Sequence, residues 1–169
     1  MNQLNDFLHK ELLNLPFNLN NIIRKFLDLN QESRVAIVGG YPRDLLIQEI
    51  HNEKKIHPID LDFVIEGNAL SLAKYIKQNI QNVELCLIKE FDIYNTVEMN
   101  INNTKVDIAS AREEIYTSPG SNPQVKKSTI ENDLKRRDFS INSIAFDFSK
   151  NELIDLYGGI NHIKKKELH

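Results

Sequence analysis

The chain has 169 residues, with 21 basic against 24 acidic side chains, a net charge of −3, 41% hydrophobic and 27% charged residues. Those values describe one ordinary globular domain and exclude a protein that holds nucleic acid by bulk positive charge, although Lys126, Lys127, Lys135, Arg136 and Arg137 crowd one segment. Apolar runs stop at about five residues where a membrane span needs roughly 20, and the single cysteine, Cys86, fits a reducing compartment, so a cytoplasmic protein without a membrane contact is expected.

In chain order, Leu4, Phe7, Leu8 and Leu12 recur at helical spacing over residues 3–14, before Pro16. A second helix starts near Asn20, with Ile22, Ile23, Phe26, Leu27 and Leu29 as its apolar side. Arg34 to Val38 reads as a buried strand that stops at Gly39-Gly40, and Pro42 suits the first turn of the helix carrying Leu45, Leu46 and Ile50. Residues 51–57 are polar loop. Ile59 to Ile65 is a strand, and Gly67-Asn68 opens a helix through about Asn79. Three strands are expected over 83–88, 93–101 and 104–109, with Asn102-Asn103 as the tight turn between the last two. Thr117 to Pro123 is turn chemistry. Ser128 followed by Glu131 is a capping-box pattern for a helix running towards Arg136. A β-like pair, 144–148 and 152–156, precedes Gly158-Gly159 and a short cationic helix. The layout is α+β, a small mixed or antiparallel sheet flanked by helices.

Four constellations carry chemistry. Asp60 and Asp62 are two apart on a strand and therefore share a face; adjacent carboxylates repel, and a divalent cation, most readily Mg²⁺, relieves them. Two ordinary exposed aspartates would look the same. Gly39-Gly40 joins a strand to a helix and leaves backbone N–H groups for an anion, with Arg43 about one turn on. Asp107 alternates with Val106 and Ile108 and can supply a third carboxylate or a proton acceptor. Arg136 to Asn142 gathers two guanidinium groups, a carboxylate and an amide, suited to phosphate oxygens and ribose hydroxyls, or simply to a helix C-terminus.

The run Val38-Gly39-Gly40-Tyr41-Pro42-Arg43-Asp44 followed by Asp60-Leu61-Asp62 resembles the opening of the bacterial tRNA nucleotidyltransferase and poly(A) polymerase family. Val106 to Glu113, the stretch Tyr116 to Val125 with its two prolines, and Asp133-Leu134-Lys135-Arg136-Arg137-Asp138-Phe139-Ser140-Ile141-Asn142-Ser143-Ile144-Ala145 continue the match as far as Asp155 and Gly158-Gly159. The resemblance implies a polymerase-β-like nucleotidyltransferase head over residues 34–169, preceded by a helical extension over 1–33. It implies Asp60 and Asp62 as Mg²⁺ ligands and Asp107 as the third catalytic carboxylate. Gly39, Gly40 and Arg43 would meet the triphosphate, with Arg137, Asp138 and Asn142 on the nucleotide. The implied reaction is template-independent transfer from ATP or CTP to an RNA 3′ end, as CCA addition to tRNA or as polyadenylation.

The sequence departs from that pattern in a longer gap between Asp44 and Asp60, in Pro42 where valine is usual, and in Asn161-His162-Ile163 where an acidic-leucine pair is usual. The neck motif Glu-Asp-x-x-Arg that reads the base has no match, so a head without neck, body or tail is expected. Two other functions stay open: a nucleotide-binding module without transfer, and a stand-alone transferase acting on a protein or small molecule.

Overall fold

The computed structural model describes residues 2–53, 60–83, 86–91, 95–115 and 124–169. Helices α1 (Asn2–Leu12) and α2 (Leu19–Leu29) lead into strand β1 (Arg34–Val38), helix α3 (Gly40–His51), strand β2 (Asp60–Glu66) and helix α4 (Ala69–Asn79). Strands β3 (Cys86–Phe91), β4 (Thr96–Ile101) and β5 (Thr104–Ser110) follow. Next come the ribbon strands β6 (Arg112–Ile115) and β7 (Gln124–Lys127), the short helix α5 (Ile130–Lys135), a 3₁₀ turn (Ser140–Ser143), strands β8 (Ala145–Asp147) and β9 (Glu152–Ile154), and helix α6 (Gly159–Lys165).

One mixed sheet runs β3-β4-β5-β2-β1-β8-β9, with β6 and β7 forming a separate antiparallel ribbon. Within the large sheet β2 and β5 run parallel and the other neighbours antiparallel. A parallel pair needs a crossover, here α4 and the β3–β4 hairpin. The Asn102-Asn103 turn is as expected: both residues have positive φ, 44° and 71°, the twist that suits a two-residue hairpin.

Alternation along the central strands splits the protein into two cores. Val35 and Ile37 of β1, Leu61, Phe63 and Ile65 of β2, and Val106 and Ile108 of β5 join the side chains of α1 to α4 in the larger one. Ala36, Val38 and Val64 turn to the other face, where Ile130 and Leu134 of α5 meet them in a much smaller core. Helices α1 to α4, joined by Ile160 and Ile163 of α6, thus seal one face of the sheet, and one short helix covers part of the other. Leu8, Leu12, Leu19, Ile22, Ile23 and Phe26 belong to the large core and are 0–4% exposed, so the N-terminal helices are structural partners of the sheet. No helix among the described residues is long and apolar enough to cross a membrane.

Helix α5 is held by charge as well as by its apolar side. Arg34 on β1 pairs with Glu66 on β2 at 2.8 Å, with Glu131 on α5 at 2.9 Å and with Asp147 on β8 at 2.7 Å. Asp147 is fully buried. Glu66 also accepts the Ile130 N–H at 2.8 Å. This corrects the expected capping box: Thr129, not Ser128, is the N-cap and accepts the Asn132 N–H. Ser128 Oγ instead donates to Glu113 at 2.9 Å, and Glu131 is drawn to Arg34 because a half-buried guanidinium needs acceptors. Strand β3 is described over Cys86–Phe91 and so continues past the end expected at 88, while residues 84–85 fall outside the described residues. The turn expected at 117–123 falls outside the described residues.

Two tests follow from this packing. Ile23→Ala leaves a cavity between α2 and the sheet and is expected to lower unfolding free energy in urea by roughly 2–5 kcal/mol. The Arg34 hydrogen bond holds the Glu131 carboxyl down at about 2, against an ordinary 4.5. The folded state therefore binds that proton less readily than the unfolded chain, so the stabilisation is full above about pH 4.5 and is lost as pH falls towards 2. Glu131→Gln should flatten the acid limb of a pH–stability curve.

Candidate functional site

Because Leu61 and Phe63 point into the large core, Asp60 and Asp62 must point to the opposite, lightly covered face. The same alternation puts Asp107 there. In the parallel register Asp62 stands beside Asp107, and across the next strand Asp107 stands beside Glu98. Asp60, one step along, pairs with Lys105. Asp60 is exposed, while Asp62 and Asp107 are half-buried.

This row of carboxylates is electrostatically strained. Burial pushes the Asp62 carboxyl above its usual range, with Asp107 and then Asp60 adding repulsion; Arg137 and Lys105 pull the other way. Asp107 Oδ2 accepts from Lys105 Nζ at 2.8 Å, and Lys105 reaches Glu98 at 3.5 Å. Asp107 Oδ1 is buried with no hydrogen-bond partner among the described residues, an acceptor short of a cation or donor. Carboxylate oxygens on one open face suit a hard divalent cation. The oxygens of Asp60, Asp62 and Asp107 are not gathered within 4.8 Å of one another, so an ion bound by all three would draw side chains inward.

Gly39 links β1 to α3 at φ 76°, ψ −133°, a conformation that glycine adopts at little cost. A Cβ there would lie 3.1 Å from Asp62 Oδ2 and 3.6 Å from Arg137 Nη1. The glycine thus lets the start of α3, with its free N–H groups, pass directly beside the acidic row. Gly39 at the N-cap brings no side chain to cap that helix. One turn in, Arg43 donates to Asp44 Oδ1 at 2.7 Å and to Asn142 Oδ1 at 2.8 Å, which joins the helix to the 3₁₀ turn.

Asp133 organises the basic side. It is fully buried. Its Oδ1 accepts from Arg136 at 2.9–3.0 Å and its Oδ2 from Arg137 at 3.4 Å, while the Arg112 N–H approaches at 3.4 Å. Burial depresses the Arg137 pKa, against the pull of Asp133 and Asp62, and its Nε has no partner among the described residues. Arg137 is thereby aimed across Gly39 at Asp62.

Of the residues expected at a site, Gly39, Asp62, Asp107 and Arg137 form one cluster, and Gly40, Arg43 and Asn142 adjoin it. Asp60 lies at its exposed edge. Asp138 is also exposed, its Oδ1 accepting the neighbouring Phe139 N–H at 3.0 Å. Three residues were not singled out from sequence. Asp133 stands three and four positions before the two arginines, a helical ion-pair spacing that could have exposed it. Lys105 is two before Asp107 on the same strand face. Glu98 enters only through register.

A mixed sheet sealed by helices on one face, with acidic and basic groups meeting on the other, is the architecture of a nucleotidyltransferase head. The family model of the poly A polymerase head domain matches residues 35–169. The chain belongs to that family. It is 37% identical over 137 residues to the A-adding tRNA nucleotidyltransferase of Aquifex aeolicus, covering 79% of this chain and 15% of the relative. To the A-adding tRNA nucleotidyltransferase of Halalkalibacterium halodurans it is 39% identical over 127 residues, covering 73% of this chain and 27% of that one. Among solved structures it superposes on an apo CCA-adding enzyme with TM-score 0.73 at 35% identity, over 90% of this chain and 34% of the other. The Thermotoga maritima CCA-adding enzyme complexed with tRNA gives TM-score 0.66 at 33% identity, over 90% and 32%. The chain thus spans about a sixth to a third of the length of these relatives. Membership of this family, with its nucleotide complexes, agrees with the acidic row in suggesting a divalent metal.

The strain at Asp62 is measurable. Its folded-state pKa is raised, so the folded chain holds that proton more tightly than the unfolded one, and the ionised group costs stability as pH rises. Asp62→Asn is expected to raise the urea midpoint at pH 7 without added metal, and to leave it unchanged below pH 3.

Proposed function

We propose that the chain is the catalytic head, residues 34–169 with 1–33 packed onto its core, of an enzyme that transfers nucleotides without a template from CTP or ATP to an RNA 3′ end, with tRNA as the substrate. The observation carrying this reading is the juxtaposition of Asp62 and Asp107 in register on β2 and β5, with the Gly39 turn and Arg137 beside them. Asp60 and Asp62 would hold Mg²⁺, whose oxygen preference matches them, and Asp107 would complete the acidic set. Bound there, Mg²⁺ would supply a lowered pKa for the attacking 3′ hydroxyl and charge neutralisation for the departing pyrophosphate.

The chain's own residues do the positioning. The Gly39–Gly40 backbone N–H groups and Arg43 receive triphosphate oxygens at the helix start. Arg137, already desolvated and fixed by Asp133, offers a fork to a phosphate without reorganising. Asn142 keeps Arg43 in place until the nucleotide arrives, and Asp138 and Asn142 lie on the nucleotide side with groups suited to ribose hydroxyls. In-line attack on the α-phosphate then depends mainly on alignment and on charge.

Calorimetric titration with ATP, CTP, GTP and UTP, with and without Mg²⁺, tests the site. Metal-dependent binding with little base preference is expected, lost in Asp60→Ala/Asp62→Ala. Pyrophosphate release on adding a tRNA that lacks its terminal CCA tests transfer. Binding without release in the presence of primer would leave a nucleotide-binding module, and no binding of any triphosphate would reject the site assignment.

A further inference from the structure

Helix α6 ends in a reversal that gathers three metal-ligating side chains. Lys166 takes a left-handed conformation, φ 58°, and its N–H closes onto the carbonyls of His162 and Ile163. The Glu167 N–H then bonds to His162 O at 2.9 Å. Residues 167–169 therefore run back beside the helix, where the His169 backbone oxygen accepts from the Ser140 N–H at 2.8 Å and from Ser140 Oγ at 3.2 Å. The rings of His162 and His169 come to 4.5 Å between centroids. One ligand atom from each of His162, Glu167 and His169 lies within 4.8 Å of the other two, a convergence that no other trio of His, Cys, Asp or Glu achieves among the described residues.

The hydrogen bonds prepare His162 for a metal. The Ser140 hydroxyl has one proton. With that proton on the His169 backbone oxygen, Oγ is the acceptor for His162 Nδ1, 2.7 Å away. Nδ1 then carries the ring proton and Nε2 keeps its lone pair. A metal-bound histidine is held in this way, through a hydrogen bond from its other nitrogen. His169 Nε2 and Glu167 Oε2 are 3.6 Å apart, close to the ~3.3 Å between ligand atoms of a tetrahedron with bonds of about 2.0–2.1 Å. Two imidazoles and one carboxylate favour a borderline transition ion over Mg²⁺, which prefers oxygen alone. Lys165 Nζ, 4.0 Å from Glu167 Oε2, competes for that carboxylate only weakly, as exposed ion pairs do.

We propose that His162, Glu167 and His169 form a binding site for a divalent transition-metal ion of the zinc class, with the fourth position open to water. The ion pins residues 166–169 against the Ser140–Ser143 turn. Asn142 in that turn holds Arg43, so the site braces the wall of the pocket from behind. It is chemically separate from the carboxylate face, and its existence does not depend on what that face does.

The test uses the 169-residue chain carrying Asp60→Ala and Asp62→Ala, which removes the competing acidic site. Co²⁺ is titrated and followed by its d–d absorption, and Zn²⁺ is then added as competitor. The expected result is one equivalent of Co²⁺ with a four- or five-coordinate spectrum, displaced by Zn²⁺. His169→Gln alters an exposed side chain, leaves the fold intact by circular dichroism, and weakens Co²⁺ binding at least tenfold; Ser140→Ala weakens it about tenfold by releasing the His162 ring. An unchanged Co²⁺ titration in His169→Gln, or no d–d absorption in the parent chain at millimolar Co²⁺, overturns the proposal.

Discussion

The arrangement of the site rests on the two-residue alternation of one strand. Leu61, Phe63 and Ile65 are drawn into the large core, and a strand cannot turn one side chain inward without turning its neighbours out. Asp60 and Asp62 therefore stand together on the other face, with no need of any specific contact to place them there. The adjoining strand β5 obeys the same rule, and the parallel register puts Asp107 next to Asp62. Hydrophobic burial on one side of the sheet is thus what concentrates negative charge on the other. Its cost appears in the raised Asp62 pKa and in the unpartnered Asp107 oxygen.

The positive side of the pocket is assembled by a different means. Helix α5 spans only Ile130–Lys135 and has little apolar surface with which to dock. Arg34 fastens it through Glu131 and, by way of Glu66, through the Ile130 N–H. Asp133 then orients both arginines from a fully buried position. Removing one partner from such a buried charged network leaves the others unpaired, which is more costly than the pairing itself is favourable. The result is a guanidinium fixed beside Gly39 before any ligand arrives, and preorganised donors of this kind lose least on binding.

Much of this was legible in residue order. Helix and strand periods, the Asn102-Asn103 turn and the strand Arg34–Val38 follow from spacing and turn chemistry, since those signals act over a few neighbouring residues. The same holds for the pairing of Asp60 with Asp62 on one face. Errors fell where a distant partner outbid a local one. Ser128 and Glu131 have the spacing of a capping box, but Glu113 and Arg34 take their side chains, and Thr129 caps the helix instead. The unremarked Asp133 carries the network that orients Arg136 and Arg137 from a fully buried position.

The sequence by itself determined most of the element types, though not the β6–β7 ribbon, and with them the face on which the acids stand and the family, because each depends on short periodicities or on contiguous motifs. Tertiary structure alone decided which carboxylates become neighbours, since Glu98, Asp107 and Asp62 meet through strand register across separate stretches of chain. It also decided that Arg43 meets Asn142 across 99 residues, and that Arg137 faces Asp62 through the space glycine leaves at position 39. Register, close approach and the competition between partners are settled by the packing of the whole sheet and its helices, and no local pattern encodes them.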